Sequence, residues 1–150
     1  MTSAVSGTLL GFDFGERRIG VAVGETATAI ASPLTAIVAE ANGARFAAIE
    51  ALVREWRPAA FVVGCPKHAD GAPHRVAALA SKFARRLAAR YQLPVFFVDE
   101  TLTSAEAERS LRETRTRAGR ASDTDALAAA LILQSYLDNP GRDPNDRLAP

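Results

Sequence analysis

The sequence has one cysteine, two histidines and no apolar run long enough to cross a membrane. Cys65 alone cannot form an internal disulfide, so a reducing cytoplasm is the expected location. A membrane helix needs about 18 consecutive apolar residues, and residues 1–8 lack the basic start, apolar core and cleavage site of a signal peptide. Because there is no cluster of histidine and cysteine, a zinc site is not expected either.

A strong excess of charge is also missing. The formal net charge is +1, so the overall charge neither favours nor excludes binding to nucleic acid. Nearly all of the positive charge is arginine, for which a GC-rich coding sequence is a sufficient explanation. One arginine cluster is less easily explained in this way, because guanidinium groups match the geometry of phosphates. Its members are Arg109, Arg112, Arg115, Arg117 and Arg120.

The pattern of apolar residues predicts one α/β domain over residues 1–138 and a flexible tail over 139–150. Strands are expected at 9–14, 19–23, 29–38, 60–64 and 95–98, and helices at 46–56, 76–91, 104–115 and 126–137. The first three strands follow each other directly and predict an antiparallel meander. The later strands alternate with helices and predict parallel pairing, which gives a mixed central sheet flanked by helices.

Particular residues mark the predicted edges and ends. Pro33 puts the third strand at an edge of the sheet, because proline cannot donate to a strand ladder. Pro58 ends the first helix. Thr103 with Glu106 form a capping box for the helix at 104–115, and Ser122 caps the last helix, with Asp125 in its first turn.

Three carboxylates stand at the edges of apolar segments: Asp13, Glu100 and Asp125. Burying an ionised carboxylate costs several kcal/mol unless a positive charge compensates it. Strand alternation puts Asp13 on the face opposite the phenylalanines of its strand and beside Gly11, where a ligand would have room to approach. We therefore expect the three carboxylates to converge on a divalent cation.

Hard oxygen ligands suit Mg²⁺ or Mn²⁺. Two such ions about 3.5–4 Å apart activate water and stabilise the leaving group in phosphodiester hydrolysis. Crowded carboxylates also repel each other, so the pKa of at least one should be raised.

Each of these residues has a simpler interpretation. Asp13 is then a turn residue, Glu100 pairs with an arginine, and Asp125 complements a helix dipole. Arg17 and Arg18 lie in the turn beside Asp13 and either hold a substrate phosphate or are solvated. His68 and His74 are interpreted as surface polar groups, and Cys65 as a packed side chain.

Four motifs together resemble the YqgF/RuvX family of ribonuclease-H-like proteins. They are Gly11 to Gly15 with the following Arg18 to Val23, Val62 to Pro66 with Asp70-Gly71, Val98 to Glu100 with Leu102-Thr103, and Asp125 to Leu137. They occur in the family's order over about residues 7–138. The family usually has an arginine where this chain has Thr101.

The resemblance implies an RNase H-like fold in which Asp13, Glu100 and Asp125 are the catalytic acidic triad, with Asp13 bridging two Mg²⁺ or Mn²⁺ ions. It implies a nuclease acting on structured RNA in 5′-end maturation of the 16S rRNA precursor, with ribosomal precursor particles as partners. The alternative is resolution of Holliday junctions in DNA. The protein would be a monomer or a homodimer. Phosphate-binding residues that compensate for Thr101 are expected among Arg17, Arg18, Arg115, Arg117 and Arg120.

Two other classes of function fit the sequence less well. A non-catalytic nucleic-acid-binding module is disfavoured because all three acidic residues are present. An actin-like ATPase has a similar first motif, but it needs a second lobe that 150 residues do not provide.

Overall fold

The computed structural model describes residues 5–64, 74–98 and 121–138. It contains five strands and three helices, whose bounds agree with the sequence pattern to within a few residues. The strands are β1 (Thr8–Asp13), β2 (Arg18–Glu25), β3 (Ile30–Val38), β4 (Ala60–Gly64) and β5 (Val95–Val98). The helices are α1 (Asn42–Trp56), α2 (His74–Tyr91) and α3 (Ala121–Asp138). The helix predicted at 104–115 and the tail at 139–150 lie outside the described residues.

The five strands form one mixed sheet in the order β3-β2-β1-β4-β5. Strands β1, β2 and β3 pair antiparallel, whereas β4 is parallel to both β1 and β5. The predicted meander and the predicted parallel strands are both confirmed. β3 lies at the edge, as Pro33 requires, and the pairing of β2 with β3 is irregular opposite this proline.

Side chains from the two faces of the sheet form two separate cores. On one face Leu10, Phe12 and Phe61 pack against α1 and α2. On the other face Leu9, Val62 and Phe96 pack against α3. Both cores exist because β1 and β4 are apolar on both faces, as expected of strands covered by helices on each side.

The helix ends follow the sequence in one case and depart from it in another. α1 stops at Arg57, which has a left-handed φ of 48° and donates its backbone N–H to Val53, just before Pro58. The described part of α3 already includes Ala121, so Ser122 lies inside the helix and not before its first residue. Asp125 is therefore in the second turn of α3, and its predicted place in the first turn is wrong. No described helix is long and apolar enough to span a membrane.

Candidate active site

Two of the three predicted carboxylates come together at one end of the sheet. Asp13 is the last residue of β1 and pairs with Gly20 of β2. The backbone of Asp125 crosses directly over Gly20: a Cβ added there would stand 1.9 Å from the Asp125 carbonyl oxygen. Any residue with a Cβ would collide with this carbonyl, so only glycine at position 20 allows the α3 backbone to pack against β1 and β2 beside Asp13.

Glycines along the same face let α3 approach the sheet closely. A Cβ on Gly11 would lie 2.8 Å from the Cβ of Leu133, and one on Gly64 would lie 2.5 Å from Ile132. The expectation that Gly11 leaves room for a ligand is therefore wrong, because a leucine of α3 fills that space. Gly11 contributes to the site indirectly, by allowing the helix that carries Asp125 to pack tightly.

The surroundings of the Asp13 carboxylate disfavour its negative charge. Asp13 is partly buried, and burial, followed by the negative charge of Asp125, raises the pKa of Asp13 from 3.8 to about 7. This agrees with the prediction that crowding raises the pKa of at least one carboxylate. Near neutral pH, both the protonated and the ionised form of Asp13 are therefore populated, and the ionised form can bind a cation.

Arg18 forms an ion pair with Asp125. Its Nε lies 3.0 Å from Oδ2 of Asp125, with about half of the arginine side chain exposed to solvent. The contact lacks hydrogen-bond geometry: within the described residues, the buried Oδ2 accepts no hydrogen bond. A buried acceptor without a donor retains a lone pair for a metal ion, so the donor set fits a hard divalent cation.

The third carboxylate, Glu100, lies outside the described residues, as do Arg115, Arg117 and Arg120. The predictions for these residues, and for Cys65 and His68, are not tested by the structure. Within residues 5–64, 74–98 and 121–138, no three Asp, Glu, His or Cys side chains group together as a metal site. The described part of the site is thus a pair of aspartates beside an arginine. The complete triad of Asp13, Glu100 and Asp125 stays a prediction.

Sequence analysis missed Arg45, which fixes the turn after Asp13. Arg45 as a whole residue is 4% exposed, and its Nη2 donates hydrogen bonds to the carbonyls of Gly15, at 2.7 Å, and of Glu16. Nε donates to the carbonyl of Ala39 at 2.6 Å. Burial lowers the pKa of Arg45, and the nearby glutamates oppose this shift.

Arg45 joins α1 to the turn that carries Arg17. Arg18, which was predicted in the same turn, is the first residue of β2 and pairs with Val38. The signal that could have revealed Arg45 is its spacing, because Arg45 is four residues before the buried Ile49 and so faces the core.

A family model and similar sequences match most of the chain. The model named RuvX and described as "Holliday junction resolvase" matches residues 7–139. A Dechloromonas aromatica protein is 57% identical over 135 residues, covering 89% of this chain and 92% of its own. One from Methylobacillus flagellatus is 51% identical over 133 residues, covering 88% and 91%. Each is named "Putative pre-16S rRNA nuclease".

Solved structures share the fold at low sequence identity. Thermus thermophilus RuvC, in a structure described as bound to a Holliday junction substrate, superposes with a TM-score of 0.61 at 19% identity. The match covers 92% of this chain and 99% of RuvC. A second structure of RuvC gives a TM-score of 0.59. These likenesses confirm the RNase H-like fold expected from the sequence.

Proposed function

The chain belongs to the RuvX family, and from this premise we propose that it is a divalent-metal-dependent nuclease. Its reaction is hydrolysis of phosphodiester bonds in RNA, at the 5′ side of the 16S rRNA precursor. The names of its relatives support this substrate. The observation that carries the reaction type is the meeting of Asp13 and Asp125 over Gly20, with the pKa of Asp13 raised to about 7.

The donor set supports Mg²⁺ or Mn²⁺ over softer metals, because it consists of carboxylate oxygens. Asp13 and Asp125 would hold the ions together with Glu100. When bound, a pair of such ions supplies an activated water and stabilises the leaving alkoxide. A structural aspartate alone would not need a second carboxylate brought to it by a glycine.

The residues of this chain then have separable tasks. Asp13 must release its proton before it can act as a ligand, so cation binding should strengthen as the pH rises through about 7. Arg18 brings a positive charge to Asp125 and so competes with a bound cation for this carboxylate. Arg45 fixes the turn that carries Arg17 and leads into Arg18, and these two arginines are the candidate contacts for the substrate phosphate.

A second candidate substrate is the four-way DNA junction. The family description supports it. Resolution of a junction favours a C₂ dimer that presents two sites to two symmetric strands. The two substrates therefore differ in their sugar, ribose or deoxyribose, and in that only the junction favours a dimer.

The deciding experiment compares wild type with Asp13→Asn on a 5′-extended rRNA precursor and on a four-way DNA junction, each with and without Mg²⁺. We expect Mg²⁺-dependent cleavage of the precursor that the substitution abolishes. Glu55→Gln, at an exposed carboxylate on α1, is the matched control and should cleave like wild type. Cleavage of the junction alone would move the assignment to a resolvase. Cleavage of neither, with tight RNA binding, would contradict the nuclease assignment.

A further inference from the structure

A cleft with basic side chains opens on the opposite side of the β1–β2 turn from the aspartate pair. Its volume is about 420 Å³, and its floor is formed by the edges of Phe14 and Phe83. Arg17 stands on the side of the turn, and Lys82 and Arg86 stand on the side of α2. Phe14 is the residue after Asp13, so the cleft begins one residue from the candidate active site.

The side chains that α2 contributes to the cleft include two cations, and α2 has no acidic residue that could neutralise them. The 18 residues of α2 include five cationic side chains and no aspartate or glutamate. Lys82 and Arg86 are four residues apart, which puts their Cβ atoms about 5–6 Å from each other, and such like-charged pairs weaken an isolated helix. The fold gains nothing evident from this repulsion.

Arg90 of α2 has a structural explanation that Lys82 and Arg86 lack. Arg90 lies over the rings of Phe46, at 5.2 Å, and Tyr91, and it is in the last turn, where the helix dipole favours a cation. Lys82 and Arg86 are exposed and form no ion pair within the described part of the chain. Their charge is therefore available to an external anion.

The turn side of the cleft is held rigid. Arg45 contributes to the lining and binds the carbonyls of the turn, so the backbone that presents Arg17 is tied to α1. Glu16, in the turn, and Glu40, just before α1, also line the cleft. Arg17, Lys82 and Arg86 are exposed and supply the accessible positive charge of the lining. Phe14 and Phe83 are at most 8% exposed, so the floor offers too little ring surface for a base to stack.

We propose that this cleft binds the phosphate backbone of the substrate strand next to the bond that is cut, with Lys82 and Arg86 as its principal contacts. The proposal rests on the proposed function, because the strand is that of the nuclease substrate. A strand lying over the β1–β2 turn would pass from the aspartate pair on one side to the cleft on the other. Arg17, between the two, would contact the intervening phosphate.

The test measures the salt dependence of RNA binding in an Asp13→Asn background, where cleavage does not interfere. The probe is the 5′-extended rRNA precursor, followed by fluorescence anisotropy at increasing KCl. Removing one cation that binds a phosphate of single-stranded nucleic acid lowers the slope of log K against log salt by about 0.7. Lys82→Ala and Arg86→Ala should each lower it by this amount, and the double variant by about twice as much.

Arg85→Ala is the matched control, since Arg85 is an exposed cation on the same helix that does not line the cleft. It should keep the slope of its parent. Equal slopes for the control and the cleft variants, whether lowered or unchanged, would overturn the proposal. A melting curve of each variant checks that these exposed positions leave the fold intact.

Two further measurements distinguish binding of the RNA backbone from binding of a small anion, and failure of the cleft proposal from failure of the nuclease assignment. Inorganic phosphate is titrated against the same variants: binding that needs Lys82 and Arg86, with RNA binding unaffected by them, would assign the cleft to a small anion and overturn the proposal. Cleavage is measured separately with Asp13 restored. Normal cleavage with unchanged RNA slopes contradicts only the cleft. A lowered slope in a protein that cuts no nucleic acid contradicts only the nuclease assignment.

Discussion

Replacing Asp13 by asparagine should make the metal-free protein more stable at pH 8. In the folded protein the pKa of Asp13 is raised from 3.8 to about 7 by burial and by the charge of Asp125. Above pH 7 the wild-type protein must therefore keep an ionised carboxylate in a position that disfavours it. Asparagine has the shape of the protonated acid and carries no charge, so it avoids this cost.

The size and sign of the effect follow from proton linkage. Between pH 3.8 and 7 the folded state holds a proton on Asp13 that the unfolded state has released, so stability falls as the pH rises, by about 1.4 kcal/mol per pH unit. A shift from 3.8 to about 7 corresponds to about 4 kcal/mol in total. This contribution is fully present below about pH 4 and is gone above about pH 7.

The assay is urea denaturation of wild type and Asp13→Asn in EDTA from pH 4 to 8.5. The free energy of unfolding of the variant minus that of wild type should rise from near zero at pH 4 to about 4 kcal/mol at pH 8. Glu55→Gln controls for the removal of one negative charge at an exposed position. A difference that stays flat with pH, or a variant less stable than wild type at pH 8, would refute the reasoning.

Three further predictions concern the residues around this pair. Gly20→Ala should lower the free energy of unfolding by about 1–3 kcal/mol, because its Cβ would overlap a carbonyl and push α3 and Asp125 away from β2. In the same urea assay the control Gly43→Ala, which has open space around it, should be neutral or slightly stabilising. Arg18→Ala should tighten Mn²⁺ binding about fivefold by calorimetry, because it removes a cation that competes for Asp125; weaker binding would be contrary to this. Arg45→Met should cost about 2–3 kcal/mol by leaving buried carbonyls without a charged donor, and Arg45→Lys should not restore the stability.

The arrangement of the sheet could be predicted because its signals are local. Continuous apolar runs at Leu9 and Phe61 indicated strands covered on both faces, and Pro33 indicated an edge. The start of α3 was misplaced, because Ser122 has the chemistry of a cap and yet lies inside the helix. A capping residue marks only a possible helix end, because packing of the helix on the sheet can place that residue inside the helix.

The site was predicted less completely, because its geometry depends on contacts between distant segments. Asp13 and Asp125 were identified as carboxylates without an evident structural use, but their meeting depends on Gly20, which the sequence does not distinguish from other glycines. Gly11 was predicted to leave room for a ligand, because the sequence does not show that Leu133 of a distant helix packs against it. Arg45 was missed because an arginine on an apolar helix face is ordinarily interpreted as a surface residue, whereas here it binds backbone carbonyls.

The most direct test of the central claim is a calorimetric titration of Mn²⁺ into wild type, Asp13→Asn, Glu100→Gln and Asp125→Asn at pH 8. If the three carboxylates share one cation site, each substitution should weaken binding at least tenfold while Glu55→Gln leaves it unchanged. Wild-type affinity in any one of the three variants would remove that residue from the site. Wild-type affinity in Asp13→Asn would contradict the account as a whole.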